Sequence, residues 1–344
     1  MTPMERSIAA LSSREPDRVP VFLGLTGHGA RAVGVEYSRY CRDPMAIAEG
    51  QCLLQRRFGH DCVTSATYAA VQVEWLGAEI ISCDPGPPNM GRPPARSAAQ
   101  LIALVEQARS DHPARRAVLE TIALLADRVK GTVPILSLVV APASLPLLLY
   151  GVERWLQLVV EDHPDVSSTM KVTTKLCMEW ARQQVHAGAD VLCLFDPMAS
   201  ATMLPAHMAS RLCLDAARQV VLTAGAPVVY HLGSGRAGQV LSAIVNTGAS
   251  AVAVSADDDL ADAKRILGGH CAVAGNLNNL AMIDWSPADA EREVRACIRA
   301  AARGGGYILA DQHGEIPFAV PDETIAAVVD AARRWGGYPV TADV

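Results

Sequence analysis

Residues 186–195, HAGADVLCLF, contain the pattern that decides the fold: a helix end, a glycine and a β-rich apolar run. Gly188 stands where a helix would stop at a residue that tolerates a left-handed backbone. The same order recurs at NTGAS (246–250) and at RGGGY (303–307). An alternation of helix, glycine turn and strand is what a parallel sheet with crossover helices requires.

Eight β-rich runs, each followed by a stretch with helical periodicity, occur along the chain. They are Val19 to Leu25, Asp61 to Thr67, Val133 to Val140, Asp190 to Phe195, Pro227 to His231, Ala249 to Ser255, Cys271 to Ala274 and Gly306 to Ala310. Eight such units favour a closed (β/α)₈ TIM barrel over an open doubly wound sheet. Because 344 residues suit one barrel with short insertions, residues 1–344 are predicted to form a single domain.

The segment 80–96 interrupts this alternation, and most of it belongs to the proline- and glycine-rich run DPGPPNMGRPPARS (84–97). Proline and glycine at this density disfavour regular structure, and we expect an excursion over the barrel mouth. A plain surface loop is an equally good interpretation.

Composition excludes several classes of partner. The formal net charge is −6 and only 19% of residues are charged, so neither nucleic acid nor an anionic membrane is expected to bind. Nine cysteines are scattered without a CxxC pair, which argues against a disulfide framework and a zinc ribbon and favours a reducing compartment. With no long uncharged apolar run, the protein is expected to be cytoplasmic.

One GxGxxG match, GSGRAG at 233–238, has Asp257 at roughly the distance of a ribose-binding acid. It follows the fifth predicted strand, however, and too few units remain after it to build two nucleotide-binding halves. We therefore do not expect a dinucleotide site.

In a TIM barrel the reactive residues stand at the carboxyl ends of the strands and in the loops that follow. Polar residues at these places make up the candidate site. They are His28, Tyr68, Asp196, His231, Asp257, Asn276, Asp311, Gln312, His313 and Glu315.

The segment Asp311 to Glu315 is the strongest candidate, since four polar or titratable side chains in five positions would each need a partner if merely buried. His231 precedes a glycine-rich turn whose backbone N–H groups could meet an anion, although a lone histidine is as often only structural. Asp196 is either a functional group or a turn residue. One of Asp257 to Asp259 is expected to cap the following helix.

These motifs, in their order, resemble the uroporphyrinogen decarboxylase superfamily. The resemblance runs from EPDRVPV (15–21) and FGHDCV (58–63) through HAGADVLCLFDPMAS, PVVYHLGSG and GNLN to GGYILADQHGEIPFAVPDETI and a terminal WGGYP. It implies a TIM barrel with a deep mouth, and it also explains GSGRAG as a barrel turn.

The resemblance implies two chemistries. The corrinoid-dependent methyltransferases of this superfamily bind zinc through an HxC pair and a later cysteine. Here His231 matches, but Gly233 and His313 stand where the cysteines are expected, so Zn²⁺ held by His231 and His313 would need Asp196 or Glu315. The decarboxylase branch has a GHG segment, which QHG (312–314) partly matches, but its arginine-rich grip on porphyrin carboxylates is reduced here to Arg31.

The leading expectation is methyl transfer between a small molecule and a corrinoid (cobalamin) carried by a partner protein. In it, His313 and Glu315 move a proton at the heteroatom that bears the methyl group, His231 and Asp196 position the substrate or support a metal, and Asn276 and Gln312 orient it. Asp311, Asp257, His28 and Tyr68 are the further binding candidates. Decarboxylation and a non-catalytic tetrapyrrole or corrinoid carrier are the alternatives, and a homodimer is expected from the resemblance alone.

Overall fold

The computed structural model describes residues 1–340. It contains ten strands. They are β1 Val21–Phe22, β2 Val63–Thr64, β3 Ile80–Ile81, β4 Asn89–Met90, β5 Ile135–Val140, β6 Val191–Phe195, β7 Val228–His231, β8 Ala251–Ala253, β9 Ala272–Leu277 and β10 Tyr307–Asp311. Eight of them form one parallel sheet in the order β1-β10-β9-β8-β7-β6-β5-β2, and these are the eight predicted runs.

Helices occupy most of the remaining chain. The α-helices are α1 Pro3–Leu11, α2 His28–Val33, α3 Tyr37–Tyr40, α4 Pro44–Phe58, α5 Val71–Glu74, α6 Ala98–Gln107, α7 Pro113–Val129, α8 Leu145–Tyr150, α9 Val152–Val160, α10 Pro164–Ala187, α11 Ala206–Ala209, α12 Asp215–Thr223, α13 Leu241–Ile244, α14 Leu260–Leu267, α15 Pro287–Ala301 and α16 Asp322–Trp335. Single turns of 3₁₀ helix occur at Pro197–Ala199, Gly238–Val240, Val245–Thr247 and Ala281–Ile283, and a π-helical turn at Ser210–Leu214. Within residues 1–340, no helix has both the length and the apolar character needed to cross a membrane.

The main apolar core lies between the strands and the surrounding helices. The fully buried Trp155, Tyr230 and Tyr307 are among its largest side chains. A second, smaller apolar cluster fills the inside of the barrel and includes Val191, Val229 and Ile308. Val191, Val229 and Ile308 also line the cavity described below, so this cavity reaches from the carboxyl ends of the strands into the barrel.

The segment 80–96 differs from its prediction. It contains the antiparallel pair β3 and β4, joined through Ile80 and Met90, so it is not wholly irregular. The backbone N–H of Ala95 donates to Leu149 at 3.1 Å, which ties the segment to the end of α8. None of residues 80–96 is among those that line the cavity described below.

Asp61 joins the two ends of the sheet at the point where β1 and β2 meet. Its backbone N–H donates to the Val21 carbonyl at 2.8 Å, and its carboxylate accepts from the Val21 N–H at 2.8 Å. The guanidinium groups of Arg6 and Arg18 bind the same carboxylate at 2.6 and 2.7 Å, and Asp61 is completely buried. This carboxylate therefore links β2 to β1 and to both arginines, and Asp17, which binds Arg6 at 2.7 Å, supplies the second negative charge.

Replacing Asp61 with alanine should lower the free energy of unfolding by about 3 to 5 kcal/mol, because it leaves Arg18 without its carboxylate partner, Arg6 with Asp17 alone, and the buried Val21 N–H without an acceptor. Urea unfolding at neutral pH would measure this. Asp111→Ala is the control, since Asp111 forms the same kind of ion pair with Arg109 but both side chains are exposed to solvent. This variant should leave the unfolding midpoint unchanged. Equal midpoints for the Asp61 variant and the wild type would show that the barrel does not depend on this closure.

Candidate active site

A cavity opens at the carboxyl ends of the strands, and five of the ten predicted site residues line it: Tyr68, His231, Asp311, His313 and Glu315. Most of the other lining residues are apolar, and the ring of Phe195 lies beside both histidines. No arginine or lysine is among the lining residues of the described chain. The cavity is therefore apolar with an acidic and imidazole-bearing side.

Asp311, the last residue of β10, shapes this side. One oxygen of its carboxylate accepts from the backbone N–H groups of His313 and Gly314 at 3.0 and 2.6 Å, and the other accepts from Gly24 N–H at 3.0 Å. Gly24 must lack a side chain, since a Cβ there would lie 2.3 Å from the Gly314 carbonyl oxygen. The aspartate thus holds residues 313–315 against the end of β1.

Glu315 is the group best suited to proton exchange. Burial, and after it the neighbouring Asp311 carboxylate, raise the pKa of Glu315 to about 7. Its carboxyl group forms no hydrogen bond with any other residue of the described chain, whereas its backbone carbonyl accepts from Asn279. A half-buried carboxyl group that titrates near neutral pH, with no internal partner, can give a proton to a ligand or take one from it.

His231 is a neutral donor. The backbone N–H of Gly233 donates to its Nδ1 at 3.0 Å, so the ring carries its proton on Nε2. Burial, and then the nearby His313, lower the pKa of His231 to about 3. Nε2 lies close to Gly314 at the cavity, where a Cβ would be 3.4 Å away. His231 can therefore donate a hydrogen bond without becoming charged.

His313 reaches the cavity from the loop after β10, and its imidazole ring is held by a residue of another loop. Its Nδ1 lies 2.9 Å from the hydroxyl of Ser234, in the turn after β7. The ring stands edge-on to Phe195, with ring centroids 5.7 Å apart. This contact joins the glycine-rich turn to the loop that carries Glu315.

Tyr68 lines the cavity, but its hydroxyl is engaged with the Glu74 carboxylate, and burial raises the pKa of the phenol. Glu74 in turn pairs with Arg42 at 2.7 Å. The Tyr68 ring therefore forms part of the cavity wall, and its hydroxyl proton is donated to Glu74.

Five predicted residues do not reach the cavity. Asp196 is completely buried behind the barrel wall, where its carboxylate accepts from Ser144 at 2.5 Å and Tyr230 at 2.6 Å. Asn276 donates to the carbonyls of Ser255 and Asp258. These two side chains support neighbouring loops.

Gln312, Asp257 and His28 also lie away from the lining. The Gln312 amide is bound by residues of the turns after β8 and β9. Asp257 is exposed, with a carboxylate 3.6 Å from Arg236, and its neighbour Asp259 caps α14, as expected for one of this acidic run. His28 is buried beside Phe318, and burial lowers the pKa of His28 to about 4.

The glycine-rich turn at 233–237 does not offer free donors to an anion. The five backbone N–H groups of these residues donate, in chain order, to His231 Nδ1, Gln312 O, Leu232 O, Thr202 Oγ1 and the Asp258 carboxylate. The expectation of an anion cradle here was wrong, because two of these groups bind within the turn and three bind it to neighbouring loops.

Sequence reasoning missed the aromatic and thiol side chains of β6. Phe195 pairs in register with His231, and Cys193 lies on the same face of the strand. Burial, and after it Asp311, raise the pKa of the Cys193 thiol to about 12, so it stays protonated at neutral pH. The signal was the two-residue period of VLCLF, which places positions 191, 193 and 195 on one face.

A family model for uroporphyrinogen decarboxylase matches residues 2–335. The chain belongs to the uroporphyrinogen decarboxylase family. Two kinds of relative are similar to it at comparable identity. A methylcobamide:CoM methyltransferase, MtaA, of Methanosarcina barkeri is 24% identical over 96% of this chain and 97% of its own. A uroporphyrinogen decarboxylase of Syntrophotalea carbinolica is 29% identical over 87% of both chains.

Solved structures agree on the fold of this family member. A methyltransferase from Methanosarcina mazei superposes with a TM-score of 0.84 at 21% identity, covering 97% of this chain and 99% of its own. A B12-independent methionine synthase from Shewanella is more distant, with a TM-score of 0.53 at 10% identity over 84% and 85% of the two chains. At these identities the likeness establishes the TIM barrel and leaves the reaction open.

The zinc ligands that the sequence resemblance implied do not fit this cavity. Within residues 1–340, no three histidine, cysteine or acidic side chains come together in a way that could hold a metal ion. Gly233 has a left-handed backbone, φ +59°, and a Cβ there would lie 2.8 Å from the Phe195 ring. The Phe195 ring therefore blocks the place of the second ligand, and Asp196 is too deeply buried to supply a third.

Gly233→Cys should therefore fail to create a zinc site. We expect a lower unfolding midpoint than that of the wild type, from the clash with Phe195 and the left-handed backbone, and no stoichiometric zinc by elemental analysis after dialysis. Gly77→Cys, at an open turn where a Cβ meets no atom within 4 Å, controls for strain from a positive φ. One zinc per chain in the Gly233 variant would show that this cavity can hold the metal.

The raised pKa of Glu315 makes stability depend on pH. Between about pH 4.5, its ordinary value, and about pH 7, the folded protein holds a proton that the unfolded chain has lost, so stability falls as the pH rises through this window. Glu315→Gln removes the free-energy cost of ionising a buried carboxyl group. Urea unfolding at pH 5 and pH 8 should show the variant gaining stability relative to the wild type at pH 8, whereas the exposed Glu323→Gln should show no such trend.

Proposed function

We propose that this protein transfers a methyl group between a small, uncharged molecule and a corrinoid carried by a partner protein. Support comes from the methyltransferase relatives and from an apolar cavity that holds a titratable acid beside two imidazoles. The observation that carries the proposal is the Glu315 carboxyl group, which has a pKa of about 7 and forms no hydrogen bond within the described chain.

The charges of the cavity separate this proposal from decarboxylation of a porphyrin precursor. Such a substrate carries several carboxylates and needs cationic partners, preferably arginines. The described lining has no arginine or lysine, and Asp311 and Glu315 would repel it. Arg31, the cation considered from the sequence, is bound to Asp322 and to the Phe318 carbonyl. The decarboxylase relatives share the fold, but the charges of this cavity favour methyl transfer over decarboxylation.

Each cavity residue has a distinct task in this proposal. Glu315 in its acid form gives a proton to the heteroatom that loses the methyl group, or in its carboxylate form takes the proton from an acceptor. His231 donates a hydrogen bond from Nε2, and His313 is oriented by Ser234 to contact the same atom. Asp311 positions the loop that carries both His313 and Glu315.

When bound with its partner protein, a corrinoid would supply the cobalt centre for methyl transfer. Apolar side chains such as Phe22, Leu23 and Phe195 keep water from the transfer. Among the residues placed outside the cavity, Asp196, Asn276 and Gln312 hold the strands and turns in position.

Glu315→Gln should lower kcat for methyl transfer by about 100-fold or more, because an amide cannot exchange the proton. The assay would follow methylation of reduced free cobalamin by absorbance, against a panel of small N- and O-methyl compounds. If demethylation is the direction, wild-type activity should fall as the pH rises through about 7, where the acid form is lost.

Glu323→Gln, at an exposed position in α16, is the matched control and should retain wild-type activity. Conversion of uroporphyrinogen by the wild type, in the absence of any methylation of cobalamin, would instead establish the decarboxylase alternative.

A further inference from the structure

A chain of hydrogen bonds runs from the turn after β8, through two side-chain amides, to the backbone of Glu315. The Ala256 N–H donates to Gln312 Oε1 at 2.9 Å, and Gln312 Nε2 donates to Asn279 Oδ1 at 3.2 Å. Asn279 Nδ2 then donates to the Glu315 carbonyl at 2.7 Å. We propose that Asn279, which the function described above does not use, is a positioning residue that fixes Glu315 for proton transfer.

The direction of these bonds leaves the Asn279 amide one orientation. A backbone N–H can only donate, so the end of Gln312 that faces Ala256 must be its oxygen. Its NH₂ group then faces Asn279, which must present oxygen to Gln312 and nitrogen to Glu315. A side chain that lacks either the donor or the acceptor cannot make both bonds.

Glu315 depends on such support because its carboxyl group has no hydrogen-bond partner within residues 1–340. Its location is fixed only through the backbone on each side. Before it, Asp311 holds Gly314 N–H at 2.6 Å, and after it, Ile316 N–H donates to the Gly24 carbonyl at 2.8 Å. Asn279 holds the carbonyl of Glu315 itself, so it is the support nearest to the carboxyl group.

Asn279 is 4% exposed and is isolated from the cavity, since it is not among the lining residues of the described chain. It does not touch the substrate in the proposed function, on which this inference rests. A shift of about 1 Å in a reacting group can lower the rate about 100-fold. Loss of the Asn279 bond should accordingly reduce turnover without weakening the binding of substrate.

The test compares Asn279→Ala and Asn279→Asp with the wild type in two measurements. In hydrogen–deuterium exchange, amides of residues 313–316 should exchange at least tenfold faster in both variants, while those of β7 keep their protection. In the methyl-transfer assay, kcat should fall about 10-fold to 100-fold with KM unchanged. The aspartate should be at least as impaired as the alanine, because its carboxylate would face the Glu315 carbonyl oxygen.

A double-mutant cycle separates a role through Glu315 from a general loss of structure. In the Glu315→Gln background, Asn279→Ala should cause no further loss of kcat. Asn246→Ala, at an exposed position after α13, is the control and should change neither measurement.

Wild-type exchange at residues 313–316 in Asn279→Ala, or losses in kcat that multiply in the double mutant, would overturn the inference. If Glu315→Gln retains full activity while Asn279→Ala loses local protection, the support of the loop stands and the function proposed for Glu315 fails. The experiment thus distinguishes failure of the Asn279 role from failure of the function proposed for Glu315.

Discussion

The carboxylate of Asp311 is the constraint on which the site depends. It stands at the end of the last strand and binds three backbone N–H groups, two from its own loop and one from the end of the first strand. A carboxylate saturated by backbone donors is a rigid anchor, since none of its partners can rotate away as a side chain would. The loop therefore meets β1 at a fixed place, and His313 and Glu315 project from it into the barrel mouth.

The surroundings of this anchor explain the raised pKa of Glu315. Burial against the apolar walls of the cavity is the larger cause, since it disfavours the ionised form. Asp311 is the second cause, because its carboxylate is bound to the backbone and repels the Glu315 carboxylate without offering it a hydrogen bond. Two carboxyl groups four residues apart in sequence thus take different tasks, one structural and one available for chemistry.

The fold could be read from the sequence because its signal is repeated. The eight apolar runs and their glycine turns each specify one strand, and all eight strands occur where they were predicted. The cluster from Asp311 to Glu315 was predictable for a similar reason, since a TIM barrel places strand ends at one mouth. His231 and His313, far apart in the chain, meet there as expected.

Individual side chains were less predictable, because position at a strand end does not decide on which side of the barrel wall a residue points. Asp196 follows β6 directly but points away from the cavity to Tyr230, whereas Phe195, one residue earlier, lies beside both histidines. Gln312 and Asn276 are likewise used by neighbouring turns. Their partners come from distant loops, and no local pattern announces such contacts.

The contact between Phe195 and Gly233 has an evolutionary consequence. A side chain at position 233 would meet the aromatic ring on β6 and a backbone that disfavours any Cβ, so Gly233 cannot change alone without loss. A smaller side chain at position 195 would remove the clash, so a change at 195 would have to come first. The order of substitutions at these two positions therefore restricts the evolutionary paths by which a new side chain can enter this cavity.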